Sequence, residues 1–201
     1  MIPRPTLRST FFSALLAASV ALVPQMLCAA TTAVQAQPSA QAILHKAEVE
    51  ARAEHKNILV EFGASWCVNC HLYEHMLENS QIHNILGRYF VFVPLDTGEM
   101  PADSRHHNTP GGKSFEATVG GKGAGWPYIV VLNDRGRPLI DSMRPDAKAP
   151  GGRTNIGYPV LPVEVDWFMT MLHRGAPAMT MAESAQVRAW LTAQANKILH
   201  G

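Results

Sequence analysis

Apolar residues change their spacing several times along this chain, and each change marks a predicted element. Residues 39–56, SAQAILHKAEVEARAEHK, place Ile43, Leu44, Ala47 and Ala51 near helical spacing among good helix formers, with Ser39 as the expected N-cap. NILVEF (57–62) is short, apolar and β-branched, so it reads as a buried strand, and GASW after it as a loop. From Cys67 to about Asn79 the spacing is helical again, with Leu72, Met76 and Leu77 on one side and Glu74 and Glu78 on the other. SQIHNILGRY adds a turn or two, with Gly87 as the stop, and YFVFVPLD (89–96) is a second strand.

The pattern then breaks. Residues 97–125 are rich in Gly, Pro, Ser, Thr and His, and GGKSFEATVGGKGAG predicts no regular element. Connections of such length usually carry function or move, so a lid or a partner surface is expected here. PYIVVLND (127–134) and RGRPLIDS (135–142) read as third and fourth strands joined by a tight turn at NDRG, and residues 143–161 as a loop. Pro162 fits the first position of a helix, with Glu164 and Asp166 in the first turn where the dipole favours acids. That helix ends at Gly175 and offers Trp167, Phe168, Met169 and Met171 as core side chains. A last helix, from about Thr180 to Leu199, carries Val187, Leu191 and Ile198 at helical spacing and is expected to dock on the domain. The order α β α β (loop) β β α α belongs to the α/β class, a central mixed sheet with helices on both faces.

Length and charge narrow the picture only a little. The 201 residues suffice for one good core, and a net charge of +1 without any basic block gives no reason to expect nucleic-acid binding. The N-terminus is more telling. Arg4 and Arg8 are the only formal side-chain charges before Lys46, and FFSALLAASVALV (11–23) is an uncharged run too short to span a bilayer comfortably. Small residues follow Pro24, so residues 1–36 read as a secretory signal peptide, cleaved after Ala36 in preference to Ala30; an uncleaved anchor is the alternative. A lipid-attached Cys28 fits less well, because QML precedes it where small residues are wanted. Removing Arg4 and Arg8 from the 17 basic residues leaves 15 against 16 acids. The mature domain, 37–201, keeps only Cys67 and Cys70. A matched pair suits an oxidising compartment, where a stray thiol crosslinks, so a periplasmic or otherwise exported protein is expected, with no stable membrane insertion after cleavage.

Cys67 and Cys70 fall at a predicted strand–loop–helix junction. Unpaired N–H groups and the dipole at a helix start stabilise a thiolate, which lowers the Cys67 pKa below the free value of about 8.5. Cys70 lies one turn further in, shielded and close enough to close a disulfide. Cys67 is then the attacking thiol and Cys70 the resolving one.

The segment ILVEFGASWCVNC resembles the active-site segment of thioredoxin-fold thiol–disulfide oxidoreductases: an apolar strand, a small loop, Trp66, then Cys-x-x-Cys. Its closest flavour is the periplasmic thioredoxin-like group that includes the C-terminal domain of membrane electron-transfer reductases, and it covers roughly residues 40–175. The resemblance implies a thioredoxin-like fold with a long insertion before the strand that follows a cis-proline, and an extra C-terminal helix. Glu61, six residues before Cys67, falls where the family carries a buried acid that takes the resolving thiol's proton. Pro127 falls at the cis-proline, and Trp126 before it would pair its backbone with bound substrate chain; Trp66 would pack beside the site and touch substrate. Partners would be protein thiols and disulfides, with a membrane electron-transfer protein as electron donor, and the cysteine pair would serve without a separate cofactor. This chain departs from a compact thioredoxin in having 56 residues between Cys70 and Pro127, in the bulk of Trp126 and in His71 directly after Cys70.

Blander readings stand beside these. A structural disulfide is one, although a bridge across so short a loop removes little chain entropy. A metal site is another: Cys67, Cys70, His71 and His75 are all ligand types within nine residues, and Asp103, His106 and His107 form a second group. Glu61 as an exposed strand-end carboxylate is a third. Together they frame the alternative of a thioredoxin-fold module that binds a metal or a partner without redox turnover.

Overall fold

The structure is a computed structural model and describes residues 37–201. The expected signal peptide (1–36) and Cys28 lie outside the described residues.

A four-stranded sheet in the order β2-β1-β3-β4 forms the centre, from β1 (Asn57–Gly63), β2 (Phe90–Asp96), β3 (Tyr128–Leu132) and β4 (Pro138–Asp141). β1 pairs parallel with β2 and antiparallel with β3, and β3 pairs antiparallel with β4. A parallel pair needs a crossover, which α2 (Val68–Glu78) and α3 (Ser80–Leu86) supply; the tight turn at NDRG suffices for β3–β4. Strand alternation separates two cores. Ile58, Val60, Phe62, Val130 and Leu132 pack with Leu44, Ala47 and Ala51 of α1 (Ala40–Glu54). Leu59, Ile129 and Val131 meet Tyr73 and Met76 of α2, Phe168 and Leu172 of α5 (Pro162–Gly175), and Val187 and Leu191 of α6 (Met181–His200). Each large apolar side chain so buried contributes about 1.5–3 kcal/mol. This is the thioredoxin-like arrangement, a mixed sheet flanked by helices.

Local signals place most helix ends. Ser39 Oγ accepts from Ala42 N at 3.2 Å, Pro162 opens α5, and the Glu164 carboxylate accepts from Val160 N and Leu161 N. Thr180 and Glu183 close a capping box on α6, and Glu183 also accepts from Tyr89 Oη at 2.8 Å and pairs with Arg88. The start of α6 is thereby tied to the residues that lead into β2.

Three expectations need correction. Residues 97–125 do hold a regular element, α4 (Gly112–Thr118). Gly111 takes φ +78° at its N-cap, Phe115 lies 5.8 Å from the Phe62 ring, and Glu116 is buried. Seven residues form no stable helix alone, so packing against the domain supplies what propensity lacks. Residues 143–161 likewise contain a two-stranded antiparallel sheet, β5 (Met143–Pro145) with β6 (Arg153–Asn155). Arg153 pins it by donating to Asp141 Oδ1 and Met143 O. On α6, Ala195 continues the buried stripe of Val187 and Leu191, while Ile198 is exposed.

The Glu183 carboxyl is held down at about 2, from 4.5, by the backbone bond from Thr180, then by the Thr180 and Tyr89 hydroxyls. Its contribution to stability is complete above the unfolded value and lost as pH falls towards about 2. Glu183→Gln should therefore melt below the parent at neutral pH, and the gap should close on acidification. A gap independent of pH in thermal melts contradicts this role.

Candidate active site

The site begins where β1 runs out. Gly63 O accepts from Thr97 N and Gly98 N (2.9 and 3.0 Å), so the start of the 97–108 segment lies against the end of the strand. The chain then turns through Ala64, Ser65 and Trp66, and Cys67 caps α2 in an extended conformation, its Sγ accepting from Cys70 N at 3.2 Å. Cys67 and Cys70 are joined by a disulfide, with their Cα atoms 5.2 Å apart. Cys67 is 6% exposed and Cys70 1%, so the outer sulfur is the one nearer to solvent.

The turn is held from outside, in part by two residues that the sequence pattern did not single out, Glu99 and Asn108. Glu99, buried, accepts from Ser65 N at 2.5 Å and from Ser65 Oγ at 2.8 Å. Asn108 fastens the Glu99 backbone by accepting from its N–H and donating to its carbonyl. Trp66 Nε1 donates to Gly98 O at 2.9 Å. His71 spans the other side, with Nε2 2.8 Å from Ser65 O and Nδ1 3.0 Å from Glu74 Oε2; the Glu74 bond, then the Ser65 bond, raise its pKa.

Trp126 and Pro127 complete the rim. The Trp126–Pro127 peptide is cis and Pro127 is buried. The Trp126 ring packs on Ala64, Cys67 and Cys70 and meets Trp66 edge-on at 5.7 Å. Its Nε1 donates to Thr97 Oγ1. Gly98 makes room for it: a Cβ there would come within 2.9 Å of the indole. Asn155 of β6 donates to Gly125 O and Pro127 O and so fixes the segment around the cis bond. Trp66 is 48% exposed, Trp126 half-buried. Exposed Val68 and Met100 flank the two segments of the rim.

Glu61 lies beneath. It is buried rather than an exposed strand-end group, and its Oε1 has no partner. A Cβ placed on Gly63 would sit 3.1 Å from Cys70 Sγ and 3.6 Å from Glu61 Oε1, so thiol and carboxyl flank the same glycine. Burial, then the charges of Glu74 and Asp96, raise the Glu61 pKa to about 8. At neutral pH it holds its proton.

Glu61, Trp66, Cys67, Cys70, Trp126 and Pro127 thus come together around one disulfide. The two histidine groups do not gather as expected: Asp103 and His106 meet, but with Glu99 rather than His107. Among the described residues, the set with metal-ligand atoms all within 4.8 Å of one another is Glu99, Asp103 and His106. His71 and His75 lie outside it, as does His107. Its oxygens are already engaged, those of Glu99 by Ser65 and those of Asp103 by Arg105 N and His106.

A family model described as "Thioredox_DsbH: Protein of unknown function, DUF255" matches residues 22–155. The human protein "Spermatogenesis-associated protein 20" is 33% identical over 92 residues, which cover 45% of this chain and only 11% of that much longer protein. Among solved structures, "DsbH Oxidoreductase" is 19% identical, covering 68% of this chain and 83% of that one, with a TM-score of 0.41. A disulphide isomerase from Xylella fastidiosa Temecula1 is 24% identical, covering 49% and 69%, at a TM-score of 0.40. The oxidised C-terminal domain of Neisseria meningitidis DsbD is 20% identical, covering 52% and 86%, at 0.35.

Two variants test the geometry. Glu99→Ala leaves the Ser65 donors unpaired and should cost about 1–3 kcal/mol, with faster amide exchange at Ser65. Unchanged exchange there rules out the strut. Glu61 stays protonated in the fold up to about 8, whereas in the unfolded chain it ionises near 4.5, so its burial costs stability progressively as pH rises between these values. Glu61→Gln should match the parent near pH 4 and exceed it by on the order of a few kcal/mol near pH 8 in denaturant titrations.

Proposed function

The chain belongs to the Thioredox_DsbH family, and on that premise we propose that it is an exported thiol–disulfide oxidoreductase acting on partner proteins, as a reductant. The observation that carries the proposal is the Cys67–Cys70 disulfide at a helix start, with buried Glu61 on one side and the cis Trp126–Pro127 peptide on the other. A staple needs neither neighbour.

In the reducing direction the Cys67 thiolate attacks a partner disulfide. One S–S bond breaks, a mixed disulfide forms, and the partner's first sulfur leaves as a thiolate. Cys70 then attacks Cys67 Sγ, which closes the internal disulfide and releases the partner's second sulfur. Two electrons have passed from the cysteine pair to the partner, and the Cys70 proton goes to Glu61. Only the carboxylate form accepts it, so resolution should quicken as pH rises towards about 8. Trp66 and Trp126 offer an aromatic rim for the partner chain beside Cys67, and Glu99, Asn108, Thr97 and Asn155 keep that rim in place.

The cysteine pair serves as the redox centre with no further cofactor. Among the described residues no helix is long and apolar enough to cross a membrane. We read residues 1–36 as a cleaved signal and the periplasm as the compartment. A reductant working in an oxidising compartment needs electrons from elsewhere, and a membrane electron-transfer protein is the proposed donor.

The test is the reduction potential of the purified protein in graded thiol–disulfide buffers, with free thiols counted by mass after acid quench and alkylation. A reversible two-electron transition near about −270 mV supports a reductant, and one near about −120 mV reverses the direction. Thiols that stay locked throughout defeat the oxidoreductase reading in favour of the binding module. In single-turnover release of a mixed disulfide, Glu61→Gln should slow resolution about a hundredfold and flatten its pH dependence.

A further inference from the structure

Trp126 belongs to two neighbourhoods. Its indole packs on Ala64, Cys67 and Cys70. It also lines a cavity of about 400 Å³, together with Lys113 and Ala117 of α4 and with Lys122, Gly123 and Gly125 of the loop that leads to Pro127. That volume lies in the range of pockets that receive organic groups. Gly123 and Gly125 take φ +76° and +79°, and a Cβ on either would meet nothing within 4 Å, so the loop keeps its side of the cavity open. The indole, the Ala117 methyl and the lysine stems offer apolar surface.

Charge at this place is unbalanced. Lys113 and Lys122 are exposed, and neither forms an ion pair among the described residues. The acids around the cysteine rim are engaged: Glu74 with His71, Glu99 with Ser65, Asp103 with His106. Glu116 is the acid in the lining, and it is buried. Burial raises its pKa, against the Thr97 and Trp126 side chains and the Lys113 charge, so its carboxylate form is disfavoured. What the cavity presents to a visitor is an apolar wall and two unpaired cations.

We propose that this cavity is a docking site for an acidic segment of the partner protein, in which an apolar side chain seats against Trp126 and neighbouring carboxylates meet Lys113 and Lys122. The proposal rests on the function read above and names the substrate class of that site. A partner chain that crosses Trp126 from the cysteine pair enters the cavity. Extended chain covers about 3.3 Å per residue, so the acidic stretch falls within a few residues of the partner's reacting cysteine. A bare anion would use the lysines and leave the apolar wall empty; a neutral apolar chain would do the reverse.

The experiment uses the oxidised protein, in which no thiol exchange occurs. Heteronuclear NMR follows the backbone amides of residues 113–126 and the Trp126 indole N–H. The probes are acetyl-Gly-Phe-Asp-Glu-Gly amide, its neutral match with Asn and Gln in place of the acids, a basic match with two Lys, and sulfate alone. The acidic peptide should shift these signals saturably and bind about fivefold or more tighter than the neutral match, as two exposed ion pairs allow. That advantage should vanish in about 1 M salt, where the screening length is about 3 Å. Lys113→Glu with Lys122→Glu should reverse the preference in favour of the basic peptide. Ala117→Trp, which fills the cavity from an exposed helix position and keeps both lysines, should abolish binding of every peptide. Thermal melts check that both variants fold. The proposal is overturned if no peptide shifts the Trp126 indole saturably, if the neutral match binds as well as the acidic peptide, or if the preference survives charge reversal. It is overturned too if sulfate binds as tightly as the acidic peptide, which leaves a simple anion site. The reduction potential is measured without peptide, so failure here leaves the thiol chemistry untouched, and a failed potential leaves this binding result standing.

Discussion

A carboxyl group sits where the architecture leaves no room for a charge. β1 is the inner strand between β2 and β3, covered by α1 on one face and by α2 and α5 on the other, and every neighbour of Glu61 along it is apolar from Ile58 to Phe62. Ionising it there means separating charge from water beside two other acids, Glu74 and Asp96. The fold tolerates the group in its neutral form, and in the function proposed above that form would set the proton economy of the thiols next to it. An exposed acid at the same strand end would ionise as in water and could neither hold nor return a proton near neutrality.

Around that group the site is assembled as a frame. Ser65 is gripped by Glu99 on one side and by His71 on the other, the two indoles meet edge to edge, and Asn155 secures the peptide next to Pro127. The segment expected to act as a lid or a partner surface has, at residues 97–108, the further task of bracing the loop that carries the thiols. Three of its polar residues, Thr97, Glu99 and Asn108, bond into the frame, which explains part of a composition that looked like plain loop.

Features encoded locally were legible in the sequence. Ser39, Gly87, Pro162 and Thr180 announce helix ends by capping chemistry or backbone restriction, and each stands at the end expected of it. The short apolar, β-branched runs of β1 and β3 likewise need no tertiary information. Illegible were the parts that exist only through contact. α4 is stabilised by Phe115 on Phe62, and β5 and β6 by Arg153 on Asp141; nothing within seven or three residues reveals either. On α2 the apolar spacing points to Leu72, Met76 and Leu77, yet Tyr73 is buried as completely as Met76, with Leu72 and Leu77 only half covered. Glu99 was invisible because a lone acid in a glycine-rich stretch carries no signal until the fold sets it against Ser65.

The frame also has an order in time. The disulfide closes across a separation of three residues, whereas the bonds that brace it join residues 34 apart at Ser65–Glu99 and 28 apart at Pro127–Asn155. Loop closure costs more entropy as separation grows, and long-range contacts come late in folding. A newly made chain therefore presents Cys67 and Cys70 as ordinary thiols, free to pair with each other before any of the brace exists. The brace around them arrives only with the long-range contacts, so the reactivity proposed above would itself be a certificate that the chain has finished folding.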